Sequence, residues 1–365
     1  GVEVLAEAVR ETNLLEPDLV MTVGDLIQGY NQTDEWMDEM REYKGIMDGL
    51  LCPWFPVAGN HDVDWRGPGK PAGEHERSYE MHFGPLWYAF KHKDCGFLVM
   101  YTDEGNPETG EKMFRRPDAQ RMSDEQFAWL QEALAWMGDC RHVFGFVHHP
   151  RWLGNNYGDD WDKVHEALAG AGNVRVIFGG HIHRMRYDGP RDGIEYVTLA
   201  TVGGGQSGFA PEAGALHQFH VITVRPEQIA MSAVPVGEVM DVRAITGEVS
   251  NDCSRLARQR PVVEPVLEMR RDGSVEQRFR VTLENPVGRP VELMMTPHSA
   301  DSRWTFRPDH DHATIEPGSS YTFEFFATRL AHPVDDALRL PRLSWAMDYL
   351  APTQRFGIPE RTMNL

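Results

Sequence analysis

From Asp18 to about Val234, short apolar runs alternate with amphipathic stretches. The runs are "DLVMTV", "WFPVA", "FLVMYTD", "HVFGFV", "VRVIF" and "YVTLAT", and most are followed at once by Gly or His. Between them, "TDEWMDEMREYKGIMDGLL" and "SDEQFAWLQEALAWM" repeat apolar residues at helical spacing. Trp36, Met40, Tyr43 and Met47 form the packing stripe of the first. Ser123 followed by Gln126 is a capping-box signature for the start of the second. Such alternation predicts an α/β layered domain, a largely buried sheet flanked by helices. Two further runs, "HQFHVITV" and "QIAMSAV", have no helix between them and predict an antiparallel pair closing that sheet. Ahead of all these, Val2, Leu5, Ala8 and Val9 share one helical face, so the chain opens on a helix.

Beyond Pro261 the period changes to two. Phe279, Val281 and Leu283 alternate with polar residues, as do Val291, Leu293 and Met295, then Tyr321, Phe323 and Phe325. Turn residues in "RRDGS", "NPVGRP" and "EPGSS" separate the runs. This is the pattern of a small all-β, immunoglobulin-like sandwich. The expected organisation is a first domain over 1–235, a linker over 236–262 and the sandwich over 263–365.

Two domains also suit a chain of 365 residues. Hydrophobic residues at 41% and charged residues at 25% describe an ordinary globular composition. No apolar run reaches the roughly 20 residues that span a bilayer. The net charge, 36 − 55 = −19, repels polyanions, and no Lys/Arg run offsets it, so nucleic acid is an unlikely partner. Cys52, Cys95, Cys140 and Cys253 form no CxxC pair, which argues against a thiolate zinc site.

The candidate chemistry follows the first domain's strands. Asp25 ends "TVGD", Asn60 and His61 lie in "AGNHD", His148 and His149 in "FVHHP", and His181 and His183 in "FGGHIH". In α/β sheets ligands gather at the carboxyl ends of strands, so these side chains are expected to meet. A carboxylate, an amide oxygen and neutral imidazoles suit Zn, Mn or Fe with open positions for water. Each block has a bland reading: a turn, a loop pair or a satisfied core histidine. Four blocks in this order, each after an apolar run, favour the metal site. Tyr30, Asn31, Arg151, Trp152 and the "NNYGDDW" loop at Asn155 are neighbouring candidates for substrate contact. Arg151 either grips a phosphate oxygen or pairs with Asp159 or Asp160. The "DHDH" run at Asp309 reads as a solvated turn.

Gly24-Asp25, Gly59-Asn60-His61-Asp62, His148 and Gly180-His181-Ile182-His183 together resemble the calcineurin-like metallophosphoesterase family. The resemblance covers roughly residues 1 to 235 and includes "HFGPLWYAFKHKDCGFLVMYTDE". It implies hydrolysis of a phosphate mono- or diester by hydroxide held between two divalent metal ions (Mn, Zn or Fe). Asp25 would bridge the ions, Asn60, His148 and His181 would complete one shell, and His183 would serve the other. His61 would act catalytically on the transition state or leaving oxygen. Tyr30, His149 and Arg151 would face the substrate, a phosphorylated small molecule or macromolecule. The family's opening Asp-x-His block is expected on a strand before Gly1. Gln28 stands where the purple acid phosphatase branch carries its iron-binding tyrosine, so a colourless protein is expected. Sandwich domains accompany extracytoplasmic enzymes, so an extracytoplasmic or periplasmic location is the expectation. The competing reading is a non-catalytic protein that binds a phosphorylated ligand or partner on the same scaffold.

Overall fold

The structure, a computed structural model, describes residues 1–365 apart from 65–72, 107, 114–115, 155–156, 207–213, 241–242, 244 and 353. Asn155 therefore lies outside the described residues. The chain divides into two compact units, Gly1–Met240 and Asp241–Leu365.

The first unit opens with helix α1 (Val2–Leu15), which buries Ala8, Val9 and Glu11. The Glu11 carboxylate is not wasted in the interior: it accepts the backbone N–H groups of Gly237 and Val239. Strand β1 (Val20–Met21), helix α2 (Thr33–Met47), strand β2 (Trp54–Phe55) and helices α3 (Asn60–Val63) and α4 (Glu74–His82) follow. Then come β3 (Tyr88–His92), β4 (Cys95–Val99), α5 (Asp124–Trp136), β5 (His142–Phe146), α6 (Trp161–Gly170) and β6 (Val174–Gly179). The unit closes with β7 (Arg186–Arg191), β8 (Ile194–Thr198), β9 (Gln218–Arg225) and β10 (Gln228–Pro235).

Six of these strands make one sheet in the order β3-β4-β5-β6-β8-β7. Its centre, β4-β5-β6-β8, is parallel, and an antiparallel strand borders each edge. That is the arrangement that strand–helix alternation predicts. The antiparallel pair β9-β10 differs from expectation: it forms a ribbon of its own rather than extending this sheet. Strands β1 and β2 form a second, parallel ribbon only two residues long. Both ribbons pack on one hydrophobic floor. Met21 and Val23 from one, and Ile222, Ile229 and Met231 from the other, cover Phe144, Phe146 and Phe178.

Ser123 caps α5 by accepting the Gln126 N–H at 3.1 Å. Only this half of the capping box forms. The Gln126 side chain instead exchanges two hydrogen bonds with the Tyr101 backbone, and Glu104 takes the Ser123 N–H. Trp36, Met40 and Met47 of α2 are buried, as their spacing predicts.

The second unit begins with helix α7 (Gly247–Leu256), inside the segment that the sequence reads as a linker. The reason is packing: Val249 and Leu256 belong to the sandwich core. Strands β11 (Val262–Glu264), β12 (Val275–Glu284), β13 (Val291–His298), β14 (Trp304–Arg307), β15 (Asp311–Ile315), β16 (Ser320–Arg329), β17 (Arg342–Leu350) and β18 (Arg355–Asn364) build two sheets. Their orders are β11-β12-β16-β14 and β15-β13-β17-β18. The "DHDH" run is not wholly a turn, since Asp311 and His312 begin β15.

Candidate metal centre

Asp25, Asn60, His148 and His181 sit just beyond β1, β2, β5 and β6, and their side chains converge. The Nε2 atom of His148 lies 3.2 Å from Asp25 Oδ1, 3.0 Å from Asn60 Oδ1 and 3.2 Å from His181 Nδ1. Two glycines permit this. A Cβ on Gly24 would meet His148 Nδ1 at 2.5 Å, and one on Gly59 would meet Asp25 Oδ1 at 2.3 Å. The strand-end loops approach so closely that neither position has room for a side chain.

Two of the donors at this point are committed elsewhere. His148 Nδ1–H donates to the Val23 carbonyl at 2.7 Å, which leaves Nε2 as a lone pair in the neutral ring. The Asn60 amide nitrogen donates to the Tyr30 hydroxyl, which turns its oxygen toward His148. His181 is pushed down to about 3, first by burial and then by His148, so its ring is neutral at neutral pH. Asp25 Oδ1, Asn60 Oδ1 and His148 Nε2 are thus three acceptors around one point, and the neutral His181 ring can supply at most one N–H there. The cluster is therefore rich in lone pairs and suits a cation. The donor set fits a divalent cation of the Zn, Mn or Fe type. Burial opposes the charge on Asp25, yet His148 and then His61 hold its carboxyl below the ordinary range. Burial likewise lowers His148, and Asp25 outweighs it and raises the imidazole. A proton and a cation thus compete for the same place.

His183 lies on the same loop as His181, and its Nδ1 bonds the Gly205 carbonyl, leaving Nε2 as the second ring nitrogen. His61 donates its backbone N–H to Asp25 Oδ1 at 3.0 Å, while its Nδ1 bonds the Gln28 carbonyl. The Tyr30 ring meets the His61 ring edge-on with centroids 4.3 Å apart. Asp25, Tyr30, His181 and His183 all adopt positive φ, between 51° and 69°, a left-handed backbone that non-glycine residues rarely take.

Three residues take places that the sequence leaves open or misses. His149 is fully buried, with its ring 4.4 Å from that of His181, and one of its nitrogens lies within 4.8 Å of a nitrogen of each of His148 and His181. It is held by Thr102 in the interior rather than facing solvent. Arg151 turns inward. Its guanidinium, 1% exposed, pairs with Asp160 and donates to the Tyr157 carbonyl, so the ion-pair role replaces phosphate contact. Asp62 is the residue that sequence reasoning passes over. Its Oδ1 accepts the N–H groups of Leu26 at 2.8 Å and Ile27 at 3.2 Å, and its Oδ2 that of Gly59 at 2.8 Å. It thereby clamps the Asp25 loop to the Asn60 loop. Its signal was in view, as the fourth residue of "GNHD". Burial and then the Asp25 carboxylate push Asp62 upward, against the pull of these donors.

The family model for calcineurin-like phosphoesterase matches residues 2–185. No curated protein matches the chain. Among solved structures, a dimetal phosphatase from Danio rerio aligns with a TM-score of 0.50 and 17% identity, over 65% of this chain and 87% of that one. A purple acid phosphatase from yellow lupin (Lupinus luteus) seeds aligns with a TM-score of 0.45 and 14% identity, over 66% of this chain and 48% of that one. The matched part of this chain thus spans about half of the lupin chain. At these identities the zebrafish likeness concerns the fold alone.

Proposed function

The chain belongs to the calcineurin-like phosphoesterase family, hydrolases of phosphoric esters that work with a dinuclear divalent metal centre, and on that premise we propose how its own residues serve the reaction. The observation that carries the reading is the meeting of Asp25, Asn60, His148 and His181 around one point crowded with acceptor atoms. Asp25, Asn60, His148 and His181 would hold one cation, and His183 with Asp25 would serve the other. When bound there, a pair of divalent cations supplies Lewis-acid charge and a water acidic enough to attack phosphorus at neutral pH.

The protein's share of the work is positional and electrostatic. The His148–Val23 and Asn60–Tyr30 bonds fix two ligands in orientation before any cation arrives. Asp25 takes the His61 N–H, so the same carboxylate that faces the metal point also sets the His61 backbone. With Nδ1 anchored on Gln28, His61 presents Nε2 as its working atom. As an imidazolium it would donate that proton to the leaving oxygen or steady the phosphoryl charge. The overall acidity of the chain supports a small phosphoester or a phosphorylated protein over a nucleic acid.

The test is hydrolysis of para-nitrophenyl phosphate and bis-para-nitrophenyl phosphate with Mn, Zn or no metal added, beside Asp25→Ala. Metal-dependent turnover that vanishes in the variant is expected, and the preferred ester assigns the mono- or diester class. Turnover that survives Asp25→Ala would sink the assignment of that carboxylate. Metal binding without hydrolysis of either ester would favour a phospho-ligand-binding role.

A further inference from the structure

The loop between β1 and α2 reaches the proposed metal site, and every residue of its Gln28–Asn31 stretch is held. The Gln28 carbonyl bonds His61 Nδ1, and the Tyr30 hydroxyl accepts the Asn60 amide. The other two residues share one carboxylate. Glu39 accepts the Gly29 N–H at Oε2, 2.8 Å away, and the Asn31 side-chain amide at Oε1, 2.9 Å away. The backbone between these bonds is strained. Gly29 and Tyr30 take positive φ in succession, 55° and 57°. Glycine adopts this freely, and a Cβ at that position would run into the His61 carbonyl oxygen. Tyrosine does not, and such a residue persists only where its surroundings over-determine it. Glu39 supplies that constraint from both flanks, through Gly29 before Tyr30 and Asn31 after it. The carboxylate itself stands on a firm base. Helix α2 buries Trp36 and Met40, and Trp36 Nε1 donates to the Asp62 carbonyl at 2.8 Å. That bond ties the helix to the segment carrying Asn60 and His61, and Glu39 lies within one turn of it.

We propose that Glu39 is a positioning residue for phosphoester hydrolysis: by fixing the Gly29–Asn31 turn it sets Tyr30, and through Tyr30 both the Asn60 ligand and the His61 ring. The first link is the Asn60–Tyr30 hydrogen bond, which decides whether the amide presents its oxygen or its nitrogen to a cation. The second is the edge-on contact of the Tyr30 and His61 rings, with centroids 4.3 Å apart. Without the carboxylate, nothing on α2 holds the two flanks of the turn, and Tyr30 is free to relax out of its left-handed conformation. One side chain on a helix thus keeps a metal ligand and the residue beside the leaving oxygen in a common orientation. This inference rests on the reading of Asn60 as a metal ligand.

The test is calorimetric titration with Mn or Zn of the unaltered protein, Glu39→Ala, Tyr30→Phe and the double variant, with kcat and KM for the two nitrophenyl esters measured alongside. Glu39→Ala is expected to weaken metal binding about tenfold, the low end for a group that orients a ligand. In the Tyr30→Phe background the same change should cost less than about twofold, because the route it acts through is gone. At saturating metal, kcat should fall while KM stays within about twofold, since the ester itself does not meet Glu39. Glu39→Gln should restore most of the loss: its oxygen can take the Gly29 N–H, and a turned Asn31 amide can take its own. Unchanged metal affinity in Glu39→Ala would overturn the proposal. So would an equal loss in both backgrounds, which would make Glu39 a structural anchor only. An unaltered protein that binds neither Mn nor Zn would instead sink the metal reading, and the inference with it.

Discussion

Asp62→Ala is the substitution that separates a clamped site from one merely assembled by its ligands. It leaves the N–H groups of Leu26, Ile27 and Gly59 buried without their acceptor. A buried donor left unpaired costs about 1–3 kcal/mol, so three would cost roughly 3–9. Two effects work against the full sum. The change removes a buried carboxylate that Asp25 repels, and water can enter the space it leaves. We therefore expect a net loss of about 3–5 kcal/mol, at the severe end for a single substitution. For a unit of this size each kcal/mol moves Tm by about 2–4 °C, so the first unit should melt roughly 6–20 °C earlier. Asp62→Asn keeps the oxygen for Leu26 and Ile27 but sets an amide N–H against that of Gly59, and should lose about 1–3 kcal/mol. The assay is thermal unfolding of metal-free protein by circular dichroism, so that lost metal affinity cannot masquerade as lost stability. A drop below about 2 °C for Asp62→Ala would refute the clamp, because even one orphaned donor exceeds it.

Three further outcomes follow from the same geometry. Tyr30→Phe removes the acceptor that orients the Asn60 amide, and should weaken metal binding by about 10–100-fold while Tm of the metal-free protein barely moves; calorimetric titration with Mn or Zn reads it, and unchanged affinity would contradict the positioning role. Asp25 raises His148, so protonation at Nε2 competes with metal. Affinity is expected to begin falling above the ordinary histidine value near 6.5 and to keep falling as pH drops further, and a pH-independent constant between pH 5 and 8 would oppose it. With Gln28 in place of a tyrosine, and its carbonyl bonded to His61, the metal-loaded protein should be colourless. A visible charge-transfer band in its absorption spectrum would contradict that.

How far the chain could be read from its letters depended on how local each determinant was. Helix α5 was legible because Ser123 caps it within three residues, although the partner swap between Gln126 and Glu104 was not, since Tyr101 lies far along the chain. The convergence of Asp25, Asn60, His148 and His181 was legible because each lies within a few residues of a strand end, and strand ends meet in space. His149 and Arg151 were ambiguous because a sequence gives the residue but not which way the loop turns it. Both turn inward, His149 onto Thr102 and Arg151 onto Asp160. The run "DLVMTV" reads as a full strand, yet only Val20 and Met21 pair, because strand length depends on a neighbour as well as on apolar residues. Helix α7 hid in the linker for the opposite reason: only the sandwich core, formed much later in the chain, gives Val249 and Leu256 something to cover.

The left-handed backbone at Tyr30, His181 and His183 bears on how this protein could be improved. Each such residue stores about 1–3 kcal/mol that glycine would release. A library selected only for survival on heating would accordingly be drawn to these positions, and every winner there would have surrendered a side chain from the proposed site. Engineering for heat and engineering for turnover pull against each other at the same few codons, so selection for robustness should hold this loop set fixed and search the rest of the sheet.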